Sequence, residues 1–153
     1  MKVQFVIPSI SEEYFSVSRS LFFPPLGLLS IATYLKTQLP DIDVEILDGN
    51  ILSQKSIEEL INGDFIGISP TILSYENGLR IARIAKEKGA IVILGGFQAS
   101  ALGERILKNR EYVDFIVTGD GEVAFNKLVL GESPASIDNR IYRDGENIRR
   151  TNQ

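Results

Sequence analysis

Five short apolar runs constrain this chain more than any other feature: Val3 to Pro8, Val44 to Leu47, Phe65 to Ile68, Ile91 to Leu94 and Phe115 to Thr118. Each is nearly continuous rather than alternating. A strand with one face in water alternates apolar and polar residues, so an unbroken run marks a strand covered on both sides. Helical patterns separate the runs. Leu26 to Leu39 starts after Pro25, a good first-turn residue, and stops at Pro40. Tyr75 to Lys88 puts Tyr75, Gly78, Leu79, Ile81, Ala82 and Ala85 on one face, with Arg80, Arg83 and Glu87 opposite, and Ser74 reads as its N-cap. Ala99 to Asn109 and Glu122 to Leu130 supply two more helices, and a weaker one covers Ser56 to Asn62.

Strand alternating with helix predicts an α/β fold, a flavodoxin-like (Rossmann-like) three-layer sandwich. Right-handed crossovers then give a five-stranded parallel sheet of order 2-1-3-4-5. Ligands of such sheets bind at the carboxyl ends of the strands, beside the reversal of strand order. The loops placed there are Ser9 to Pro24, Ser69 to Ser74, Gly95 to Gln98 and Gly119 to Gly121. The tail differs in character. Ser133 to Asn139 is polar and linker-like, and Asp144-Gly145 is a hairpin turn signal between Ile141-Tyr142-Arg143 and Asn147-Ile148-Arg149. The expected division is an α/β domain over 1–132, then a linker and hairpin over 133–153.

The totals narrow the chemistry. A chain of 153 residues suits one domain. Net charge is −4 and no basic cluster exceeds Arg149-Arg150, so nucleic acid is not an expected partner. The longest uncharged apolar stretch, Leu21 to Thr33, is broken by Pro24-Pro25, so no membrane span is expected. Val3 enters a strand directly and no signal-peptide pattern precedes it, so a cytoplasmic location is expected. There is no cysteine and no histidine. Thiolate metal sites, iron–sulfur ligation, cysteine nucleophiles and the commonest general base are therefore excluded. No catalytic and no metal-ligating residue is assigned.

Binding residues come from the loops. Gly95-Gly96 ends the fourth strand; either the backbone needs glycine there, or a bulky ligand crosses it beside the free N–H groups of the next helix. Ser69-Pro70-Thr71 follows the third strand and offers two hydroxyls, in residue types also ordinary for a loop. The first loop mixes serines 9, 11, 16, 18 and 20 with Tyr14, Phe15, Phe22 and Phe23, which suits a large amphiphilic ligand or a plain surface loop. Gly119-Asp120-Gly121-Glu122 opens a helix with two carboxylates, a common pattern at helix starts, so Mg²⁺ is not expected. Asp48 could meet a ribose hydroxyl, yet no GxGxxG follows the first strand.

Four segments taken together, PPLGLLSIATYL (24 to 35), VEILDGN (44 to 50), FIGISPTILSYENGLRIARIAKEKGAIVILGGFQAS (65 to 100) and VDFIVTGDGEVAFNKLV (113 to 129), resemble the N-terminal cobalamin (B12)-binding domain of B12-dependent radical S-adenosylmethionine (SAM) enzymes. The resemblance implies cobalamin held base-off. Its corrin would lie over the carboxyl edge of the sheet and its nucleotide tail would descend into the sheet–helix slot. Ser69, Pro70 and Thr71 align with the family's serine-containing loop, and Gly95 and Gly96 with its double glycine, followed by Phe97 and Gln98. Pro25, Gly27, Gly119, Asp120, Gly121 and Glu122 match signatures near the corrin. Two departures matter. The Asp-x-His-x-x-Gly motif that ligates cobalt in the wider fold is missing, so this chain supplies no imidazole to the metal. Phe97-Gln98 stands where relatives often have Pro-His. The CxxxCxxC motif is also missing, so SAM and a 4Fe–4S cluster would belong to a radical-SAM barrel elsewhere in a longer chain. That resemblance implies a module holding methylcobalamin or cob(I)alamin against the barrel, most simply for methyl transfer.

Two other classes compete. A flavodoxin-like flavin or nucleotide carrier could use the serine-rich first loop to cradle phosphate. A domain that has lost its cofactor could serve as an interaction module. A receiver domain is disfavoured because the third strand ends in Ile68-Ser69 rather than Asp.

Overall fold

The computed structural model describes residues 1–10 and 24–151. Its elements are β1 (Lys2–Ile7), α1 (Leu26–Gln38), β2 (Asp43–Asp48), α2 (Gln54–Leu60), β3 (Phe65–Ile68), α3 (Tyr75–Glu87), β4 (Ile91–Leu94), α4 (Gly96–Asn109), β5 (Phe115–Val117), α5 (Glu122–Val129), β6 (Arg140–Asp144) and β7 (Asn147–Arg150). The five expected strands form, parallel, in the order 2-1-3-4-5.

The unbroken apolar runs are explained by the period of two along each strand. Val3 and Phe5, Phe65, Ile93 and Val117 point to one face and pack under α1 and α5. Val6, Ile66 and Ile68, Val92 and Leu94, and Ile116 point to the other and pack under α2, α3 and α4. Both faces are roofed, so inward positions are apolar except Gln4 of β1, whose buried amide donates to Glu45 and Leu60 O and accepts from the Asn62 and Gly63 N–H groups. Helix α3 buries Gly78, Leu79, Ile81, Ala82 and Ala85, the face its spacing predicts.

Several local expectations change. Helix α2 starts at Gln54 because the Ser53 hydroxyl accepts the Ser56 N–H at 3.1 Å and caps it earlier than its apolar pattern suggests. Ser74 stands at the N-cap of α3 but does not cap it with its side chain. Its hydroxyl turns back and accepts the Thr71 N–H at 3.0 Å, closing a 3-10 turn over Ile72–Ser74. Helix α4 begins at Gly96, three residues before Ala99, because a φ of +82° there swings the chain straight from strand into helix.

The hairpin forms, and it extends the sheet to seven strands: β6 runs antiparallel to β5, with Ile116 opposite Ile141 and Val117 opposite Arg140, and β7 completes the edge. The stretch 133–139 carries a 3-10 turn at Pro134–Ser136 and buries Ile137 in the core beneath α1 and α5. Arg143 holds the hairpin from the other side. Its guanidinium donates to the carbonyls of Leu107, Arg110 and Val113 at 2.6–2.8 Å, capping the carboxyl end of α4. Gly103 lets α4 sit directly on Ile141, whose side chain would collide with any Cβ there.

Candidate functional site: a cleft at the carboxyl edge of the sheet

A cleft of about 170 Å³ opens where β3, β4 and β5 end beneath α1 and α5. Its floor is Phe5, Ile93, Val117 and Phe125, and one wall is Leu28 and Ile31 of α1. Gly67 makes that floor possible: a Cβ there would stand 2.8 Å from ring atoms of both Phe5 and Phe125. With hydrogen only, the two rings meet at 4.8 Å between centroids, tilted by 48°. Gly121 plays the same part at the mouth, where a Cβ would lie 2.7 Å from Ile31 Cδ1. Ser69, Gly95 and Gly96 form the upper rim, and Gly27, Gly119, Asp120, Gly121 and Glu122 the mouth.

The adjacent glycines answer to different causes. Gly96 has a φ of +82°, and a Cβ on it would lie 2.8 Å from Ser69 Oγ. Glycine is required there by the protein itself. Gly95 is extended, at φ −141° and ψ −174°, a conformation open to any residue. A Cβ on it would meet only Val117 O at 3.7 Å. The absent side chain at Gly95 leaves the cleft open and carries only the ordinary entropic cost of a glycine.

The predicted binding residues separate into two groups. Ser69, Gly95, Gly96, Gly27, Gly119, Asp120, Gly121 and Glu122 all line the cleft. Pro70, Thr71, Phe97, Gln98 and Pro25 do not line it. Pro70 is buried against α3, its ring 3.0 Å from the point where a Gly78 Cβ would sit. The Thr71 hydroxyl is engaged with Ser74 Oγ at 3.2 Å. Phe97 is 98% exposed on the outer lip, and Gln98 is half-buried. Pro25 gives its carbonyl to the Leu29 N–H at 2.9 Å. The first loop's Ser11 to Phe23 lies outside the described residues, and its Ser9 hydroxyl donates to Leu52 O at 3.1 Å. Sequence reasoning missed Phe5, Leu28, Ile31, Gly67, Ile93 and Phe125. The signal was available only in part, as the inward positions of strands already recognised.

The cleft is chemically spare. The side-chain polar groups lining it are one hydroxyl, Ser69, and two carboxylates at the mouth, Asp120 and Glu122. Ser30 of α1 donates to Glu122 at 2.6 Å. Among the described residues, no group of three histidine, cysteine, aspartate or glutamate side chains could hold a metal ion. No helix of the described residues is long and apolar enough to cross a membrane. Pockets that enclose a whole drug-sized ligand usually run to about 300–1,000 Å³. At about 170 Å³ this one is smaller, so a ligand of that size would extend beyond it. The open cradle at Gly95 and the apolar floor fit the base of cobalamin's nucleotide tail.

Residues 16–129 match the family model of the B12 binding domain. Over 113 residues, 69% of this chain, it is 30% identical to an uncharacterized methyltransferase of Pyrococcus horikoshii. Over 137 residues, 84% of this chain, it is 29% identical to the anaerobic magnesium-protoporphyrin IX monomethyl ester cyclase of Rubrivivax gelatinosus. Over 79 residues, half of this chain, it is 27% identical to the 2-(S-pantetheinyl)-carbapenam-3-carboxylate methyltransferase of Streptantibioticus cattleyicolor. These matches span 24%, 24% and 12% of the three relatives, which are far longer proteins. With the family model covering most of its length and the cleft lying where the fold binds ligands, this chain belongs to the B12-binding domain family.

Proposed function

We propose that this chain is the cobalamin-binding module of a B12-dependent radical-SAM enzyme, holding the cofactor base-off with no histidine ligand to cobalt. The observation that carries the proposal is the cleft, kept open at Gly95 and floored by Phe5 and Phe125. Bound cobalamin supplies a cobalt centre able to carry and transfer a methyl group. The chain's own residues bind and orient it. Phe5, Phe125 and Ile93 give an apolar bed for the nucleotide base, and Ser69 presents a hydroxyl to it. Helices α4 and α5 both begin at the rim, so their free N–H groups suit a phosphate. The empty histidine complement of the chain means that nothing in it can replace the base with an imidazole.

We assign residues 1–132 to the binding domain and 133–153 to its junction with a radical-SAM barrel, which would hold SAM and the 4Fe–4S cluster. The names of two relatives, both methyltransferases, support methyl transfer as the reaction of the whole protein. The test is a titration with hydroxocobalamin followed by gel filtration. A base-off visible spectrum travelling with the protein is expected. Corrinoid lost on the column at high micromolar ligand, or retained only in a base-on form, overturns the proposal, and yellow protein with flavin bands would replace it with a flavin carrier.

A further inference from the structure

We propose that the outer face of α3 and α4 docks an acidic segment of a partner protein. Two adjoining grooves run along that face, on the side of the sheet away from α1 and α5. One, of about 440 Å³, lies between α4 and the end of β7 and carries Arg105, Lys108 and Arg150. The other, of about 420 Å³, lies between α3 and the chain after α4 and carries Arg80, Arg83 and Arg110. Asn109 lines the first and Arg110 the second, so the grooves meet at the end of α4. Burial raises the pKa of the Tyr75 hydroxyl, and Arg110 of one groove and Arg105 of the other both oppose that rise, so the two charges act at one place.

Among the described residues these grooves bring together six cations and two carboxylates, Glu76 and Glu104, in a chain whose net charge is −4. The cations are scattered between positions 80 and 150 in the sequence, and folding gathers them. Helix dipoles account for Lys108 and Arg110 at the carboxyl end of α4, but not for Arg80, Arg83 or Arg105, which stand before the last turns. Arg80 with Arg83, and Arg105 with Lys108, are like charges three apart on a helix, an arrangement that costs stability unless an anion offsets it. Glu58 meets Arg80 at 2.9 Å. Arg83 instead lies over the Tyr112 ring, 5.2 Å from its centre, which orients a planar fork suited to paired bonds with a carboxylate. Ala101 and Leu102 lie among the charges and suit the methylene groups of glutamate. The two carboxylates within the face oppose a uniform polyanion such as duplex nucleic acid, whereas a peptide can place its charges between them.

The test uses a fluorescently labelled decaglutamate peptide, followed by anisotropy on this chain. It is expected to bind at about 20 mM salt and to lose about tenfold in affinity by about 200 mM, because exposed charges are screened. Arg83→Glu and Arg105→Glu should each weaken binding by about tenfold or more. Both arginines are exposed, so urea midpoints should move little. Lys127→Glu makes the same change of net charge on α5, across the sheet, and should alter the affinity by no more than about twofold. Absence of binding at about 20 mM salt overturns the proposal. An equal loss from Lys127→Glu also overturns it, since net charge rather than this face would then govern binding. A DNA duplex that binds tighter than the peptide overturns it in favour of nucleic acid.

Discussion

Ser30 Oγ and Glu122 Oε1 lie 2.6 Å apart, a hydrogen bond that ties the amino-terminal part of α1 to the first turn of α5 across the mouth of the cleft. The two helices form its sides, and their packing is close enough that Gly121 has no room for a Cβ beside Ile31. Fixing both walls keeps the cleft at one width. Ser30→Ala should therefore speed cobalamin release several-fold. The bond is exposed and to a charged group, so the stability cost should stay within about 1–2 kcal/mol. Stopped-flow release kinetics and urea midpoints check this; an unchanged release rate would mean that the walls are held by packing alone.

Gly95→Val and Gly96→Val should differ in kind. Gly95 is extended, so valine fits the backbone and fills the cleft; corrinoid retention should be lost with stability changed by no more than about 1 kcal/mol. At Gly96, with φ at +82°, valine is strained and meets Ser69, so stability should fall by about 1–3 kcal/mol whether or not ligand is present. Thermal melts of the two apo variants distinguish the cases, and full corrinoid binding by Gly95→Val would contradict the location of the cleft.

Arg140 is fully buried, and its three guanidinium nitrogens make no hydrogen bond among the described residues. Burial holds its pKa below the usual arginine range. What it keeps is stacking, with the guanidinium carbon 4.4 Å from the Tyr142 ring centre and 5.6 Å from that of Phe115. Replacement by an apolar side chain of similar length removes an unsatisfied buried charge. Arg140→Met should thus be neutral or stabilising by about 1–2 kcal/mol in urea denaturation. A loss beyond about 2 kcal/mol would show that ring stacking dominates the site.

Glu45 reports on acid stability. Its hydrogen bond from Lys2, and then that from Gln4, hold its pKa below the ordinary 4.5. A depressed carboxyl pKa contributes stability that is complete above the unfolded value and is lost as pH falls through the folded one. Glu45→Gln should then lower stability at pH 7, by less than about 1 kcal/mol because the pair with Lys2 is partly exposed. The gap between mutant and wild type should close below pH 4.5, which denaturant titrations at several pH values would show.

Much of this architecture was legible from the residues, for a physical reason. Strands buried on both faces are apolar wherever no partner satisfies a polar side chain, so Phe65 to Ile68 and Ile91 to Leu94 announce themselves. At Gly95-Gly96 two causes are superposed, the backbone's need of glycine at Gly96 and the open cleft at Gly95, and composition does not separate them. The pairing of Phe5 with Phe125 was invisible because it joins the first strand to the last helix of the α/β unit through a hydrogen at Gly67. Thr71 and Phe97 have chemistry suited to a ligand but lie outside the cleft, Thr71 with its hydroxyl engaged by Ser74 and Phe97 exposed in the first turn of α4. The hairpin was recognised by its Asp144-Gly145 turn, whereas its docking depends on β5 leaving an edge that Ile141 and Tyr142 can join.

Helix α4 reaches from the lip of the cleft at Gly96 to a carboxyl end gripped by Arg143, a rod of 14 residues, about 21 Å long. One guanidinium thus joins the hairpin to the helix whose first residue forms the lip of the cleft, so hairpin and lip share a single rigid element.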